Sequence, residues 1–148
     1  MMKNKNSAAG FVIFFDNRNG FYKFKKKEIL FLVIEDNLGK FDLPKGVSEL
    51  CENNLETAIR ETKEETGLIY LKDFYLYKNK NMTFKNDMTM FLAEYTHNDL
   101  DKYINILPNP ETNIIEHVNY FWLHLDEALD NMHNYLKPVL LWAFINID

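Results

Sequence analysis

Residues 46–68 read GVSELCENNLETAIRETKEETGL, and this stretch organises the interpretation of the whole chain. Its acids Glu61, Glu64 and Glu65 stand at positions i, i+3 and i+4, so an α-helix presents their carboxylates on one face. Three anions within one helical turn repel each other, which costs stability unless a cation lies among them. The pattern therefore predicts a helix that presents carboxylates.

Both ends of this helix are also marked in the sequence. Asn53 is a suitable N-cap residue, and Glu56, three positions later, completes a capping-box pattern. Gly67 suits the left-handed position that follows the last helical turn. A neighbouring face is suited to pack on a core, and it carries Leu55, Ala58, Ile59 and Thr62.

A simpler interpretation is a solvated surface helix. Any one of these acids, taken alone, is most often part of such a surface. The excess of acids on one face, their spacing and the preceding turn Leu43-Pro44-Lys45-Gly46 favour a functional site instead. In that turn Pro44 fixes the backbone angle φ, and Gly46 lets the backbone approach a ligand closely.

The stretch resembles the Nudix box, in which a glycine is followed by an acid after five residues and by R-E-U-x-E-E-x-G-U after seven more, U being aliphatic. The matching residues are Gly46, Glu52, Arg60, Glu61, Glu64, Glu65, Gly67 and Leu68. Thr62 departs from the pattern because it stands where U is usual. The resemblance implies an α/β Nudix fold, in which a mixed β-sheet is sandwiched between helices, and a metal-dependent hydrolase.

Length and composition indicate one globular domain. The chain has 148 residues, so we expect a single domain over 1–148 with a flexible segment at 1–7. Its net charge of −5 argues against a DNA-binding protein. The single cysteine, Cys51, precludes an intrachain disulfide. We see neither a signal peptide nor an apolar run long enough for a membrane span, and we therefore expect a cytoplasmic protein.

Apolar and turn patterns predict the remaining elements. Apolar runs rich in β-forming residues predict strands at 8–15, 28–35, 69–80, 88–95 and 117–123. A hairpin connection is expected around 79–86, and a long polar loop at 96–115. Two helices are predicted at 126–133 and 135–145, the second with Pro138 in its first turn. Together these elements indicate a layered α/β domain.

The resemblance extends over most of the chain. SAAGFVIF from Ser7, FDLPKG from Phe41, MFLAEY from Met90 and EHVNYFWLHLDEAL from Glu116 are similar to segments of the asymmetric dinucleoside tetraphosphatases, a branch of the Nudix superfamily. That branch cleaves diadenosine tetraphosphate to ATP and AMP. It commonly has tryptophan where this chain has Phe41 and Asp42, a difference that bears on recognition of the base rather than on the bond that is cut.

The resemblance also implies the catalytic residues and their cofactor. Phosphoanhydride hydrolysis needs charge neutralised on phosphate oxygens and a water made nucleophilic. Mg²⁺ or Mn²⁺ is the implied cofactor, since hard carboxylate oxygens suit these ions. The residues implied to bind metal or activate water are Glu61, Glu64 and Glu65, with the carbonyl of Gly46 as a further ligand. Arg60 orients these acids, and Glu52 lies nearby; which glutamate is the base stays open.

An acid outside the box often completes such sites. Glu116 matches the acid-bearing loop of the tetraphosphatase branch and is expected to be a further metal ligand. Glu94 and Glu111 are the competing acids.

Several residues are candidates for contact with the substrate. Lysines at three positions are candidates for holding phosphates, namely Lys45, Lys80 and Lys85. His117 is a candidate for a phosphate contact, although an ordinary surface histidine explains it equally well. An adenine ring needs an aromatic partner, and the candidates are Tyr75, Tyr77, Phe84 and Tyr120. Most aromatic residues at strand spacing simply fill cores.

The predicted activity is hydrolysis of a dinucleoside tetraphosphate, with a small-molecule nucleotide as the partner. Alternatives within the same enzyme class are a pyrophosphatase for oxidised nucleoside triphosphates and a 5′-pyrophosphohydrolase that acts on an RNA end. A Nudix-fold binding module is the non-enzyme alternative. The oligomeric state stays open.

Overall fold

The computed structural model describes residues 7–18, 28–106, 108, 112–114 and 116–148. Seven strands lie within these residues: β1 (Ala8–Asp16), β2 (Ile29–Asp36), β3 (Phe41–Asp42), β4 (Lys45–Val47), β5 (Phe74–Phe84), β6 (Met88–Tyr95) and β7 (His117–Leu123). The α-helices are α1 (Asn54–Thr66), α2 (Leu125–Asn131) and α3 (Lys137–Asn146). A short 3₁₀ turn, Asn134–Leu136, precedes α3.

The strands form one mixed sheet. Its order is β3-β2-β1-β6-β5, with β7 also paired to β2 and β4 also paired to β1. β1 runs parallel to β6 and antiparallel to β2. Parallel neighbours need a long crossover connection, and α1 lies in the part of the chain that joins this pair.

Successive residues of β1 point to opposite faces of the sheet, and each face has its own hydrophobic core. Phe11 and Ile13 pack with Ala58 of α1, whereas Val12 and Phe14 pack with residues of α2 and α3. These β1 side chains are at most 1% exposed. The sheet lies between α1 on one face and α2 with α3 on the other, which confirms the predicted fold class.

Both predicted ends of α1 are confirmed. The Asn53 side chain accepts a hydrogen bond from the Glu56 N–H at 2.8 Å, and the Glu56 carboxylate accepts one from the Asn53 N–H at 3.0 Å. Gly67 has φ of 79° and donates its N–H to the Lys63 carbonyl at 2.9 Å. The predicted apolar face is also confirmed, since Ala58 and Thr62 are fully buried.

The prediction for β5 was wrong at both ends. Residues 69–73 form a turn, in which the Asp73 carboxylate accepts a hydrogen bond from the Ile69 N–H at 2.8 Å. The strand does not end at residue 80 but continues to Phe84. The first residues of the predicted connection at 79–86 therefore belong to the strand, where they form part of a bulge. Lys78 and Asn79 have φ of 51° and 52° there, and the pairing with β6 shifts register. Residues 78–81, Lys-Asn-Lys-Asn, are polar like those of a turn, although they belong to the strand.

The other elements follow the predictions closely. β6 and β7 have the predicted bounds, and the helices differ from theirs by one or two residues at each end. The described residues between 96 and 115 contain neither helix nor strand. The predicted flexible segment 1–7 lies outside the described residues except for Ser7, which is buried and accepts a hydrogen bond from the Ser48 N–H. Among the described residues, no helix is long and apolar enough to cross a membrane.

Candidate active site

The short strand β4 brings the first residue of the box against the acids of α1. Gly46 lies opposite Ala9 in the pairing of β4 with β1, and Ala9 belongs to the core beneath α1. A Cβ atom on Gly46 would lie 2.0 Å from the carboxyl carbon of Glu61. The backbone of Gly46 and the Glu61 carboxylate are thus in direct contact, and only glycine leaves room for both.

Arg60 connects three of the box acids. Its guanidinium donates to Glu52 at 2.7 Å, to Glu61 at 2.9 Å and to Glu64 at 3.3 Å, and a further N–H donates to the Val47 carbonyl. The hydrogen bond from Arg60 is the main reason that the pKa of Glu52 is lowered to about 2. This is the ion pairing that the sequence predicts for Arg60.

Glu65 belongs to a second, separate set of contacts. One of its carboxylate oxygens accepts a hydrogen bond from the Lys45 N–H at 3.0 Å, and the other lies 3.6 Å from Nδ1 of His117. Nε2 of the same imidazole lies 3.2 Å from Asp42, whose other oxygen pairs with Nζ of Lys45 at 3.1 Å. These four residues form a closed ring of contacts, called here the Lys45 ring. Glu65 and His117 are 9% and 8% exposed.

Burial and mutual repulsion raise the pKa of two of the acids. Burial is the main cause that raises the pKa of Glu61 to about 7; Arg60 opposes this shift, while Glu64 and Glu116 add to it. Burial also raises the pKa of Glu65 well above its usual value, and repulsion from Glu61 contributes. Repulsion among these acids opposes their ionisation in spite of Arg60 and Lys45, and a bound cation would relieve it.

A family model described as the NUDIX domain matches residues 6–143. This chain belongs to the Nudix family. It is a Nudix hydrolase, as the sequence predicts, and such hydrolases generally use a divalent metal ion.

Two named relatives and two solved structures are similar to this Nudix hydrolase. Bis(5′-nucleosyl)-tetraphosphatase [asymmetrical] of Rattus norvegicus is 36% identical, over 82% of this chain and 80% of the relative. The Mus musculus protein of the same name is 33% identical over the same shares. A C. elegans Ap4A hydrolase in a binary complex aligns with a TM-score of 0.67 at 23% identity, covering 94% of this chain and 98% of the other. The M. smegmatis Nudix hydrolase RenU aligns with a TM-score of 0.69 at 13% identity, covering 97% and 88%. At these identities, both structural matches support the Nudix fold alone.

The donor atoms of this Nudix site suit a hard divalent ion. The candidate ligands are carboxylates and one backbone carbonyl, the oxygen ligands that Mg²⁺ and Mn²⁺ take. In the described part of the chain, no three acidic, histidine or cysteine side chains already surround one point as metal ligands do. Mg²⁺ commonly keeps several of its waters and takes only one or two protein carboxylates. The acids therefore fit such an ion by their charge and chemistry rather than as a preformed cage.

The candidate acids outside the box differ in where they lie. Glu116 directly precedes β7 and is near enough to Glu61 to help raise the pKa of that carboxyl. Glu94, in β6, acts instead on Arg18, whose pKa is raised chiefly by its hydrogen bond to Asp16 and further by Glu94. Glu111 lies outside the described residues. Glu116 as the additional metal ligand stays a prediction, and its effect on Glu61 is in keeping with it.

Four predicted substrate contacts are engaged elsewhere. Lys45 and His117 are committed to the Lys45 ring, and the Lys45 ammonium also lies 5.3 Å from the Tyr135 ring centre. Lys80 donates to the Asn146 carbonyl at 2.7 Å. The hydroxyl of Tyr77 accepts a hydrogen bond from the Asp148 N–H, and its ring packs edge-on against Phe14. All four side chains thus have partners within the fold, and their substrate roles stay predictions.

Lys85 and Tyr120 have more open positions. Lys85 is exposed in the turn between β5 and β6. The neighbouring Asp87 carbonyl accepts the N–H of Ala8, which lies opposite Val47 of the box, so this turn is at the end of the sheet where the box begins. Tyr120 in β7 donates its hydroxyl to Asp101 at 2.8 Å. Both remain predictions for substrate contact.

Sequence reasoning missed the part played by Asp42. The residue was noted only as a departure from the tryptophan of related sequences, whereas it pairs with both Lys45 and His117. Its spacing of three residues from Lys45 was a weak local signal. The pairing with His117, 75 residues further along the chain, has no local signal at all.

Proposed function

We propose that this Nudix hydrolase of nucleoside polyphosphates cleaves diadenosine tetraphosphate to ATP and AMP, with Mg²⁺ or Mn²⁺ as its cofactor. The observation that carries the proposal is the 36% identity to the asymmetric tetraphosphatase of Rattus norvegicus over 82% of this chain. The acids Glu52, Glu61, Glu64 and Glu65 are all present. A Nudix-fold binding module has no need of this set, so their presence favours an enzyme.

The residues divide into metal-holding and orienting roles. The metal ligands in this proposal are Glu61, Glu64, Glu65, Glu116 and the Gly46 carbonyl. A bound metal ion supplies charge to neutralise phosphate oxygens and lowers the pKa of a coordinated water. Arg60 fixes Glu61 and Glu64 through its hydrogen bonds, and it is itself held by Glu52 and by the Val47 carbonyl.

The proposed reaction breaks one phosphoanhydride bond. Water attacks the phosphorus that is fourth from the far adenosine, and the bond from that phosphorus to the bridging oxygen breaks. The new P–O bond belongs to AMP, the departing group is ATP, and the proton of the water is released. The enzyme must hold one adenosine and its phosphates so that water approaches in line with the departing oxygen.

A substrate panel tests this proposal. Diadenosine tetraphosphate, an oxidised guanosine triphosphate and a triphosphorylated RNA are each assayed with Mg²⁺ and with Mn²⁺. We expect ATP and AMP from the tetraphosphate, never two ADP molecules, and ¹⁸O from labelled water in AMP alone. If kcat/KM for either rival substrate exceeds that for the tetraphosphate by more than about tenfold, or roughly 1.4 kcal/mol of transition-state stabilisation, the tetraphosphatase assignment is wrong.

A further inference from the structure

The Lys45 ring brings together residues from four different elements. Asp42 belongs to β3, Lys45 to β4, His117 to β7 and Glu65 to α1. Glu65 is the only member of the metal-ligand set proposed above that belongs to the ring. The ring engages both of its carboxylate oxygens, one through the Lys45 N–H and one through His117.

Both nitrogens of the His117 imidazole lie beside carboxylates of the fold. The side chain is 9% exposed. The Asp42 carboxylate is held in turn by the Lys45 ammonium at 3.1 Å. Asp42 therefore holds the imidazole through Nε2. This contact fixes the position of Nδ1, which lies 3.6 Å from the Glu65 carboxylate.

We propose that His117, held by Asp42, is a positioning residue that sets the direction of the Glu65 carboxylate towards the metal ion. This inference rests on the proposed function, because it takes Glu65 as a metal ligand. Without the imidazole, the backbone N–H of Lys45 still holds one Glu65 oxygen, but the other oxygen loses its 3.6 Å contact with Nδ1 and the carboxylate gains room to turn. Loss of a group that orients a metal ligand commonly lowers metal affinity by about 10- to 100-fold.

The geometry distinguishes two conservative replacements. An asparagine amide occupies roughly the place of Nδ1 in histidine, and a glutamine amide roughly the place of Nε2. Nδ1 faces Glu65 and Nε2 faces Asp42. We therefore expect His117→Asn to keep the contact with Glu65, and His117→Gln to keep only the contact with Asp42. His97 provides a matched control, because it pairs with Asp73 at 2.7 Å and, within the described residues, this pair has no contact with a box acid.

The test measures binding of Mn²⁺ alone, from the free-ion electron paramagnetic resonance signal, with circular dichroism to confirm folding. We expect His117→Ala to raise the Kd for Mn²⁺ by about 10- to 100-fold, His117→Gln to do the same, and His117→Asn to stay near the wild-type value. His97→Ala should leave the Kd unchanged. If His117→Ala does not fold, the comparison of His117→Asn with His117→Gln still decides the question.

Two results overturn the proposal. One is a Kd for His117→Ala or His117→Gln equal to that of the wild type, and the other is an equal loss in His97→Ala. Glu65→Gln, measured in parallel, separates this failure from a failure of the proposed function. If Glu65→Gln binds Mn²⁺ like the wild type, Glu65 is not a ligand and the metal site itself is wrongly assigned. If Glu65→Gln weakens binding and His117→Gln does not, only the positioning role is wrong.

Discussion

The backbone of Gly46 lies so close to Glu61 that a side-chain carbon on residue 46 would stand 2.0 Å from the carboxyl carbon. The clash falls on the far end of a flexible side chain, so Gly46→Ala should displace Glu61 and leave the fold intact. We expect kcat to fall by at least ~10-fold, because a small displacement at a reacting centre is costly. Turnover assays and thermal unfolding check this prediction.

Gly10→Ala is the matched control for that substitution. A Cβ atom on Gly10 would lie 2.2 Å from the backbone carbonyl oxygen of Pro44, which cannot turn away as a side chain does. We expect a loss of about 1–3 kcal/mol in the free energy of unfolding, typical of overpacking. If Gly46→Ala is destabilised as much as Gly10→Ala, Gly46 has a structural role rather than one at the site.

Removal of one charge from the acidic face should abolish most activity without harm to the fold. We expect Glu64→Gln or Glu65→Gln to lower kcat by at least ~10²-fold. Without metal, the thermal midpoint should stay level or rise, since repulsion among the clustered carboxylates is relieved. In Glu65→Gln, the new amide oxygen can still accept the hydrogen bond that the Lys45 N–H donates to the carboxylate. Near-normal turnover in both folded variants would contradict the assignment of these acids to a metal site.

Thr62 offers a test of the one departure from the Nudix box. Its side chain is fully buried, and its hydroxyl has no hydrogen-bond partner among the described residues. Valine has the same shape without the hydroxyl. We expect Thr62→Val to raise the free energy of unfolding by about 1 kcal/mol, because the cost of an unsatisfied buried polar group is removed. Denaturant unfolding measures the change, and a destabilised variant would imply that the hydroxyl has a partner.

The metal-free protein should lose stability as the pH rises from about 4.5 to about 7. Burial raises the pKa of Glu61 from its ordinary 4.5 to about 7, so in this range the folded state binds more protons than the unfolded state. Glu52 does not counteract this, because its lowered pKa affects stability only below that range. In Glu61→Gln, the thermal midpoint should fall less steeply with rising pH than in the wild type. The decline that remains is due to Glu65, whose pKa is also raised. An unchanged slope in Glu61→Gln contradicts the prediction.

Glu116 should be the additional catalytic acid. We expect Glu116→Gln to lower kcat at saturating Mg²⁺, since Glu116 is near Glu61 and removal of its charge weakens the hold on the metal. Glu94→Gln should keep its activity, because Glu94 acts on Arg18. Glu111→Gln is assayed beside them. Loss of kcat only in the Glu94 or Glu111 variant would mean that the assignment is wrong.

The parts that the sequence predicted are those with local causes. The caps of α1 depend on residues three or four apart, and β7 is bounded by polar residues at one end and by helix signals at the other. The polar residues from Asn79 onwards predict a connection at 79–86, but β5 passes through a bulge at Lys78 and Asn79 and continues to Phe84. The acids of α1 were predictable from the spacing of the box, because residues three or four apart share one face of a helix.

The parts that the sequence did not predict depend on contacts between distant segments. Nothing near His117 indicates that Asp42 and Glu65 meet at its two nitrogens. Likewise, nothing in the sequence near Tyr77 and Lys80 indicates that they pair with Asp148 and Asn146 at the end of the chain. Functional groups within the box were therefore predictable, whereas the groups that hold them were not.

The Lys45 ring has a consequence for the order in which an active molecule forms. The capped helix α1 has the local contacts that let a segment form early, whereas the contact between Glu65 and His117 requires β7 to have paired with β2. Contacts so far apart in sequence form late, because the loop between them must first be closed. If His117 orients Glu65 as proposed, a chain that stops before β7 carries the box without the residue that positions this carboxylate.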